Sequence, residues 1–242
     1  MLCAGAVADR FRITLTYQGK PAKGKRYSTV YYLDADLRSG KTLRKLLAEE
    51  QRPIAEPRLF VGIGHIGVFQ KRRRRDFIPP SLKKGEALPG KSPYRGHADR
   101  FYLFLQEELL PLMENRYGAD TVRTLVGHSF GGLFVCYSLL RTDRMFQRYC
   151  ALSPSLWVNR RNIFAYEARL AAHTNQLPVF LYLSAGKKER LNRILPGVRR
   201  LNQRLRRRQY MGLHLGYAEH RGRAHHSQVP VSLKYLLEEG KF

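Results

Sequence analysis

Cysteine is scarce: the 242 residues include three, Cys3, Cys136 and Cys150. An odd number with no Cys-x-x-Cys spacing indicates neither a disulfide framework nor a zinc site, and no metal or cofactor is expected. Long apolar runs are missing as well. No window approaches the ~18 consecutive apolar residues of a membrane span. Met1–Arg12 lacks the charged start and long apolar stretch of a signal peptide. The chain therefore reads as cytoplasmic, with no membrane partner. Acidic residues are the third shortage: 19 Asp and Glu face 44 Lys and Arg, a formal net charge of +25. That imbalance points to an anionic partner and says nothing about fold.

What is present is enough apolar sequence, 43% of residues, to bury a core. Phe11–Tyr17 alternates apolar and polar residues, the pattern of a half-buried strand. Tyr27–Leu33, Leu59–Ile63, Thr121–Val126, Tyr149–Leu152, Val179–Leu183 and Leu213–Tyr217 complete a set of strands. The short, fully apolar runs among them suit a parallel sheet buried on both faces. Helical periods fall around Leu43–Leu47, Phe101–Leu112 (interrupted near Pro111), Leu133–Leu140, Leu191–Leu205 and Val229–Leu237. Pro196 bends the fourth of these or marks its true start. Alternating strands and helices predict an α/β fold with a mostly parallel central sheet and helices on both faces. Residues 1–242 read as one domain. The basic, Pro- and Gly-rich stretch at about 70–98 has little periodicity and reads as a lid-like loop.

The sharpest chemical signal is Gly127-His128-Ser129-Phe130-Gly131-Gly132, a G-x-S-x-G match between a predicted strand and a predicted helix. A serine at such a turn is a candidate nucleophile, with the helix N-terminus offering N–H groups to a developing oxyanion. It needs a base and an orienting acid, in the chain order Ser, acid, His. Glu189 lies in the loop after Val179–Leu183, and His225 and His226 lie in the loop after Leu213–Tyr217. Either histidine can serve as the base on this reading.

Gly62-Ile63-Gly64-His65-Ile66-Gly67 also matches G-x-G-x-x-G, but a dinucleotide fingerprint should open a helix, and Phe69–Pro80 does not read as one of that sort. A loop supplying a second oxyanion N–H, from His65 or a neighbour, is the better expectation. The charge falls in the runs Arg72–Arg75, Lys83-Lys84, Arg199-Arg200 and Arg206–Arg208; nucleic-acid binding prefers aromatics interleaved with basic residues, and the Arg199–Arg208 helix has none until Tyr210, so nucleic acid is not expected. Arg72–Arg75 lies near the predicted site and suggests an anionic small-molecule substrate.

Taken together these residues resemble the putative-esterase family of the α/β-hydrolase superfamily, and within it the siderophore (enterobactin-type) esterase branch. The resemblance runs through Val30-Tyr31-Tyr32-Leu33-Asp34-Ala35-Asp36, Arg75-Asp76-Phe77-Ile78-Pro79, the Ser129 motif, Ser153-Pro154-Ser155-Leu156-Trp157 and His225-His226-Ser227-Gln228. It implies Ser129 as nucleophile, Phe130 N–H in the oxyanion hole and His225 as base. Arg75 and Asp76 become candidate substrate-binding residues. The acid loop departs from the family pattern, with Lys187 and Lys188 between Gly186 and Glu189, so a triad through Glu189 and a Ser–His dyad both stay open. The expected function is a serine esterase acting on a small-molecule ester, anionic or siderophore-like. The alternatives are a thioesterase or acyltransferase with the same site, or a basic binding protein on a degenerate hydrolase scaffold. The oligomeric state stays open.

Overall fold

A computed structural model describes residues 2–22, 24–50, 57–82, 96–191 and 193–242. In chain order the elements are β1 (Leu2–Ala4), β2 (Asp9–Tyr17), β3 (Tyr27–Leu33), α1 (Arg38–Glu49), β4 (Arg58–His65), α2 (Phe69–Phe77), α3 (Ala98–Phe104), a π-turn (Leu105–Leu109) and α4 (Leu110–Tyr117). These are followed by β5 (Ala119–His128), α5 (Phe130–Leu139), β6 (Arg148–Leu152), α6 (Val158–Arg161), α7 (Ile163–His173), β7 (Gln176–Gly186) and a 3₁₀ turn (Lys187–Arg190). Last come α8 (Ile194–Arg208), β8 (Met211–His220) and α9 (Val229–Glu238).

The strands form one sheet in the order β1-β2-β4-β3-β5-β6-β7-β8. The first two pairings are antiparallel and the remaining five are parallel. Because side chains alternate across a strand, Val30 and Tyr32 of β3 face one side while Tyr31 and Leu33 face the other. On the first side lie Leu43 of α1 and Val229, Leu233 and Leu236 of α9. On the second lie the apolar stripes of α3, α4, α5, α7 and α8, which make the larger core. Helices thus cover both faces, and this is the α/β-hydrolase architecture.

Three elements differ from the sequence expectation. The helix around Pro111 does not break: the Leu110 N–H bonds to the Leu105 carbonyl, and this wider turn carries the chain past a residue that has no N–H to give. Leu191 does not join α8. It is 95% exposed, and the helix begins at Ile194 with Pro196 in its first turn, where proline is tolerated.

The third difference is α2. The stretch at about 70–98 opens with a helix rather than a loop, despite four consecutive arginines. Their mutual repulsion is relieved by two acidic residues distant in sequence and one adjacent. Arg73 meets Asp34, Arg72 and Arg75 meet Asp9, and Arg75 also meets Asp76. Residues 83–95 of the stretch, with Lys83-Lys84, lie outside the described residues.

Candidate active site

Ser129 sits between the end of β5 and the start of α5, with φ of 61° and ψ of −115°. A non-glycine residue there is strained by roughly 1–3 kcal/mol and persists only where its surroundings hold it. Three backbone hydrogen bonds do so. Ser129 N–H donates to the Leu152 carbonyl, and its own carbonyl accepts from Leu133 and Ser155 N–H, all at 3.0 Å. Gly127 is required because a Cβ there would overlap the backbone of Gly131. The side-chain oxygen of Ser129 lies 3.3 Å from that of Ser155.

Glu189 lies in the 3₁₀ turn beyond β7 and is buried. One oxygen, Oε2, accepts from Ser153 Oγ and from Gly186 N–H, each at 2.6 Å. The other, Oε1, is 2.6 Å from His225 Nδ1. Burial alone would raise the carboxyl pKa. The hydrogen bonds from His225, Ser153 and Gly186 outweigh it and hold Glu189 below its ordinary value, so it stays ionised. Of the two histidines it is His225 that meets Glu189. The His226 ring is exposed, its centroid 5.0 Å from that of His225.

The loop carrying His225 is anchored from both sides. His128, next to Ser129, donates from Nε2 to the His225 carbonyl at 2.9 Å, and the two ring centroids are 4.4 Å apart. Burial, then the nearby His225, pushes the His128 pKa well below its ordinary value. Further on, Gln228 is fully buried and its Oε1 accepts from Ser184 and Ser232 hydroxyls.

Phe130 opens α5, and the Arg73 guanidinium lies 5.6 Å from its ring centroid. Arg73 is itself buried and holds Asp34 through two hydrogen bonds of 2.6 and 2.8 Å. Asp34 directly follows β3, and a Cβ added at Gly131 would stand 3.4 Å from its Oδ2. The corner after β3 therefore borders the start of α5.

His65 is not brought to that place. It ends β4, which is separated from β5 by β3, and its buried ring lies 2.9 Å from Asp76 Oδ2. The glycines of its G-x-G-x-x-G match serve packing: Gly64 lies inside β4, where a Cβ would strike the Asp36 carboxylate.

Arg75 and Asp76 are likewise used internally. Asp76 is fully buried between His65 and Arg75, and Arg75 also reaches Asp9 at 2.9 Å. These contacts pin α2 to β2 and β4. Among the described residues no three His, Cys, Asp or Glu side chains come together to hold a metal ion. Asp34, His128, Ser153 and Ser155, which adjoin Ser129, Glu189 or His225, are residues that sequence reasoning gave no role, while Arg73 was singled out only within the Arg72–Arg75 run. All but Arg73 lie in the segments that carried the resemblance, which was the available signal.

Residues 11–228 match the model of the family described as "Putative esterase". The chain belongs to the putative-esterase family. Among its relatives, the ferri-bacillibactin esterase BesA of Bacillus subtilis is 32% identical over 240 residues, 94% of this chain and 83% of that protein. A siderophore enterobactin esterase of Emericella nidulans is 34% identical over 185 residues, 69% of this chain and 60% of that one. Among solved structures, the BES protein from Bacillus cereus superposes with a TM-score of 0.81 at 27% identity, covering 97% of this chain and 91% of the other. The protein is an esterase with the α/β-hydrolase fold.

Proposed function

We propose that this esterase works through a Ser129–His225–Glu189 triad on an anionic, siderophore-like ester. The observation that carries the triad is the 2.6 Å contact between His225 Nδ1 and Glu189 Oε1. It joins the loops beyond β7 and β8 in the chain order Ser, acid, His that this fold uses. The contact leaves His225 Nε2 as the nitrogen able to take the Ser129 proton. Glu189 fixes that tautomer and stabilises the imidazolium that forms.

Ser129 then attacks the ester carbonyl. The tetrahedral oxyanion accepts from the Phe130 N–H at the start of α5. His225 returns the proton to the departing alcohol. Water, deprotonated by His225 in turn, releases the acyl group from Ser129. The Lys187-Lys188 departure from the family pattern does not remove the acid, because Glu189 still reaches the histidine.

Two observations support an anionic siderophore-like substrate. The relatives above are named for siderophore esters. In addition, the loops that carry Glu189 and His225 hold six exposed cations: Lys187, Lys188, Arg190, Arg193, Arg221 and Arg223. Cations grouped at one mouth raise the local concentration of an anion. This rim replaces Arg72–Arg75 as the place where the charge meets substrate. The described cysteines, Cys136 and Cys150, are free and buried, in keeping with a cytoplasmic enzyme.

The reading is tested by hydrolysis of a p-nitrophenyl short-chain ester and of a siderophore ester. Wild type should cleave both, preferring the anionic one at low salt, and Ser129→Ala should cleave neither. A Ser129→Ala protein with wild-type activity overturns it.

A further inference from the structure

The turn after β6, Ser153-Pro154-Ser155, touches both ends of the catalytic array. Ser153 is fully buried, and its hydroxyl donates to Glu189 Oε2 at 2.6 Å. Its N–H donates to the Ser184 carbonyl at 2.8 Å, which ties the turn to β7 just ahead of the acid loop. Two residues on, Ser155 is 3% exposed. Its N–H donates to the Ser129 carbonyl at 3.0 Å and its hydroxyl oxygen is 3.3 Å from Ser129 Oγ. Pro154 packs on the elbow itself, since a Cβ added at Gly132 would stand 3.0 Å from its Cα.

Ser153 also holds an uncommon backbone conformation, φ of 44°, as the nucleophile does. A strained serine whose hydroxyl is aimed at a buried carboxylate matches the way strain gathers at working sites. Two hydroxyls on one turn therefore meet the acid and the nucleophile.

From this arrangement we infer that Ser155 is a hydrogen-bond donor to the reacting oxygen and that Ser153 is a positioning residue for the acid. The inference rests on the proposed triad. In the resting enzyme either serine of the Ser129–Ser155 pair can donate to the other. During attack the choice disappears. The Ser129 proton passes to His225 Nε2, one lone pair of Oγ forms the bond to the carbonyl carbon, and Ser155 O–H is the donor left to the pair. It holds the nucleophile's rotamer and stabilises the negative charge that gathers on Oγ as its proton leaves.

Ser153 acts through Glu189. Its hydrogen bond draws carboxylate charge toward Oε2 and tempers the proton affinity of the His225–Glu189 pair. Removing it concentrates charge on Oε1 and stabilises protonated His225, which must be neutral to act as base. The acid limb of the kcat/KM profile should then move to higher pH.

Four proteins test this: wild type, Ser155→Ala, Ser155→Thr and Ser153→Ala, each checked for folding by its thermal melt. Ser155→Ala should lower kcat and the second-order rate of fluorophosphonate labelling about 10- to 100-fold with KM little changed, as for loss of a hydrogen bond to a charged oxygen. Ser155→Thr, which keeps the hydroxyl, should recover most of that loss. Ser153→Ala should shift the acid limb upward by about half a pH unit or more, whereas a merely structural residue would lower the whole profile without moving the limb. Labelling of Ser155→Ala at the wild-type rate, or a Ser155→Thr protein no better than Ser155→Ala, overturns the role of Ser155. An unmoved limb in Ser153→Ala overturns that of Ser153. Failure of the triad itself is a separate result, read as retained activity in Ser129→Ala.

Discussion

His128 donates from Nε2 to the carbonyl of His225 at 2.9 Å, so the residue before Ser129, the proposed nucleophile, clamps the loop that carries the proposed base. Two segments 97 residues apart are thereby held in register at the point where a proton must cross between them. Removing the donor should loosen the base without removing it. His128→Leu is expected to lower kcat about 10-fold or more with a smaller change in KM, since a misplaced base costs the chemical step. His128→Gln, which keeps an N–H, should lose less. Steady-state kinetics on a p-nitrophenyl ester compares the two.

The same histidine makes stability depend on pH. Burial depresses its folded pKa below the ordinary 6.5. Below pH 6.5 the unfolded chain takes up a proton that the folded protein refuses, so its contribution is complete above 6.5 and is lost as pH falls from there toward the folded pKa. His220, half-buried, is shifted the same way and adds to the loss. Urea titrations at pH 8 and pH 5.5 should show the wild type less stable at the lower pH, with a smaller difference in His128→Gln. An equal difference in the two proteins would remove His128 from the account.

Glu189→Gln keeps the size of the acid and removes its charge. A loss of about 10²- to 10⁴-fold in kcat is expected, in line with the acid positions of other triads. An unchanged rate would point instead to a Ser129–His225 dyad.

Away from the site, Glu167 on α7 is fully buried and binds two arginines of α8, Arg204 at 3.0 Å and Arg208 at 2.9 Å. Replacing both arginines with methionine leaves a buried carboxylate with neither cation, at a cost of about 3–5 kcal/mol. Adding Glu167→Met to that double variant should restore most of the loss, because the price was an unpaired buried charge. Chemical denaturation of the double and triple variants checks both statements.

The rim of cations makes a salt prediction. For an anionic ester KM should rise as ionic strength increases from about 0.01 to 0.15 M, as the Debye length falls from about 30 to 8 Å. A neutral ester of similar size should show little change. Substituting Lys187, Lys188 and Arg190 together with Ala should remove most of the difference between the two substrates.

Much of the fold was legible because strands buried on both faces must be apolar along their whole length. Tyr27–Leu33, β-branched and aromatic, was bounded to the residue. The meeting of Glu189 and His225 was legible in part because each lies in a loop beyond a strand-like run, and those two strands, β7 and β8, are neighbours in the sheet. Helix α2 was not, because its arginines are held by Asp9 and Asp34, and no local pattern reports partners that distant. His65 was placed at the oxyanion because it follows a strand. Only the spatial order shows that β3 lies between β4 and β5, so that the corner after β3, not the end of β4, borders the start of α5. Ser153 and Ser155 stood in a recognisable segment, yet their contacts with Glu189 and Ser129 arise only when β5, β6 and β7 lie side by side.

The central claim is that Ser129 is the nucleophile, made reactive by His225. The most direct test treats wild type, Ser129→Ala and His225→Ala with a fluorophosphonate and reads intact mass and peptide maps. The account predicts one adduct, on Ser129, in the wild type. It predicts none in Ser129→Ala and labelling slowed by about 10³-fold or more in His225→Ala. An adduct on another residue, or ester hydrolysis at the wild-type rate by Ser129→Ala, would contradict it.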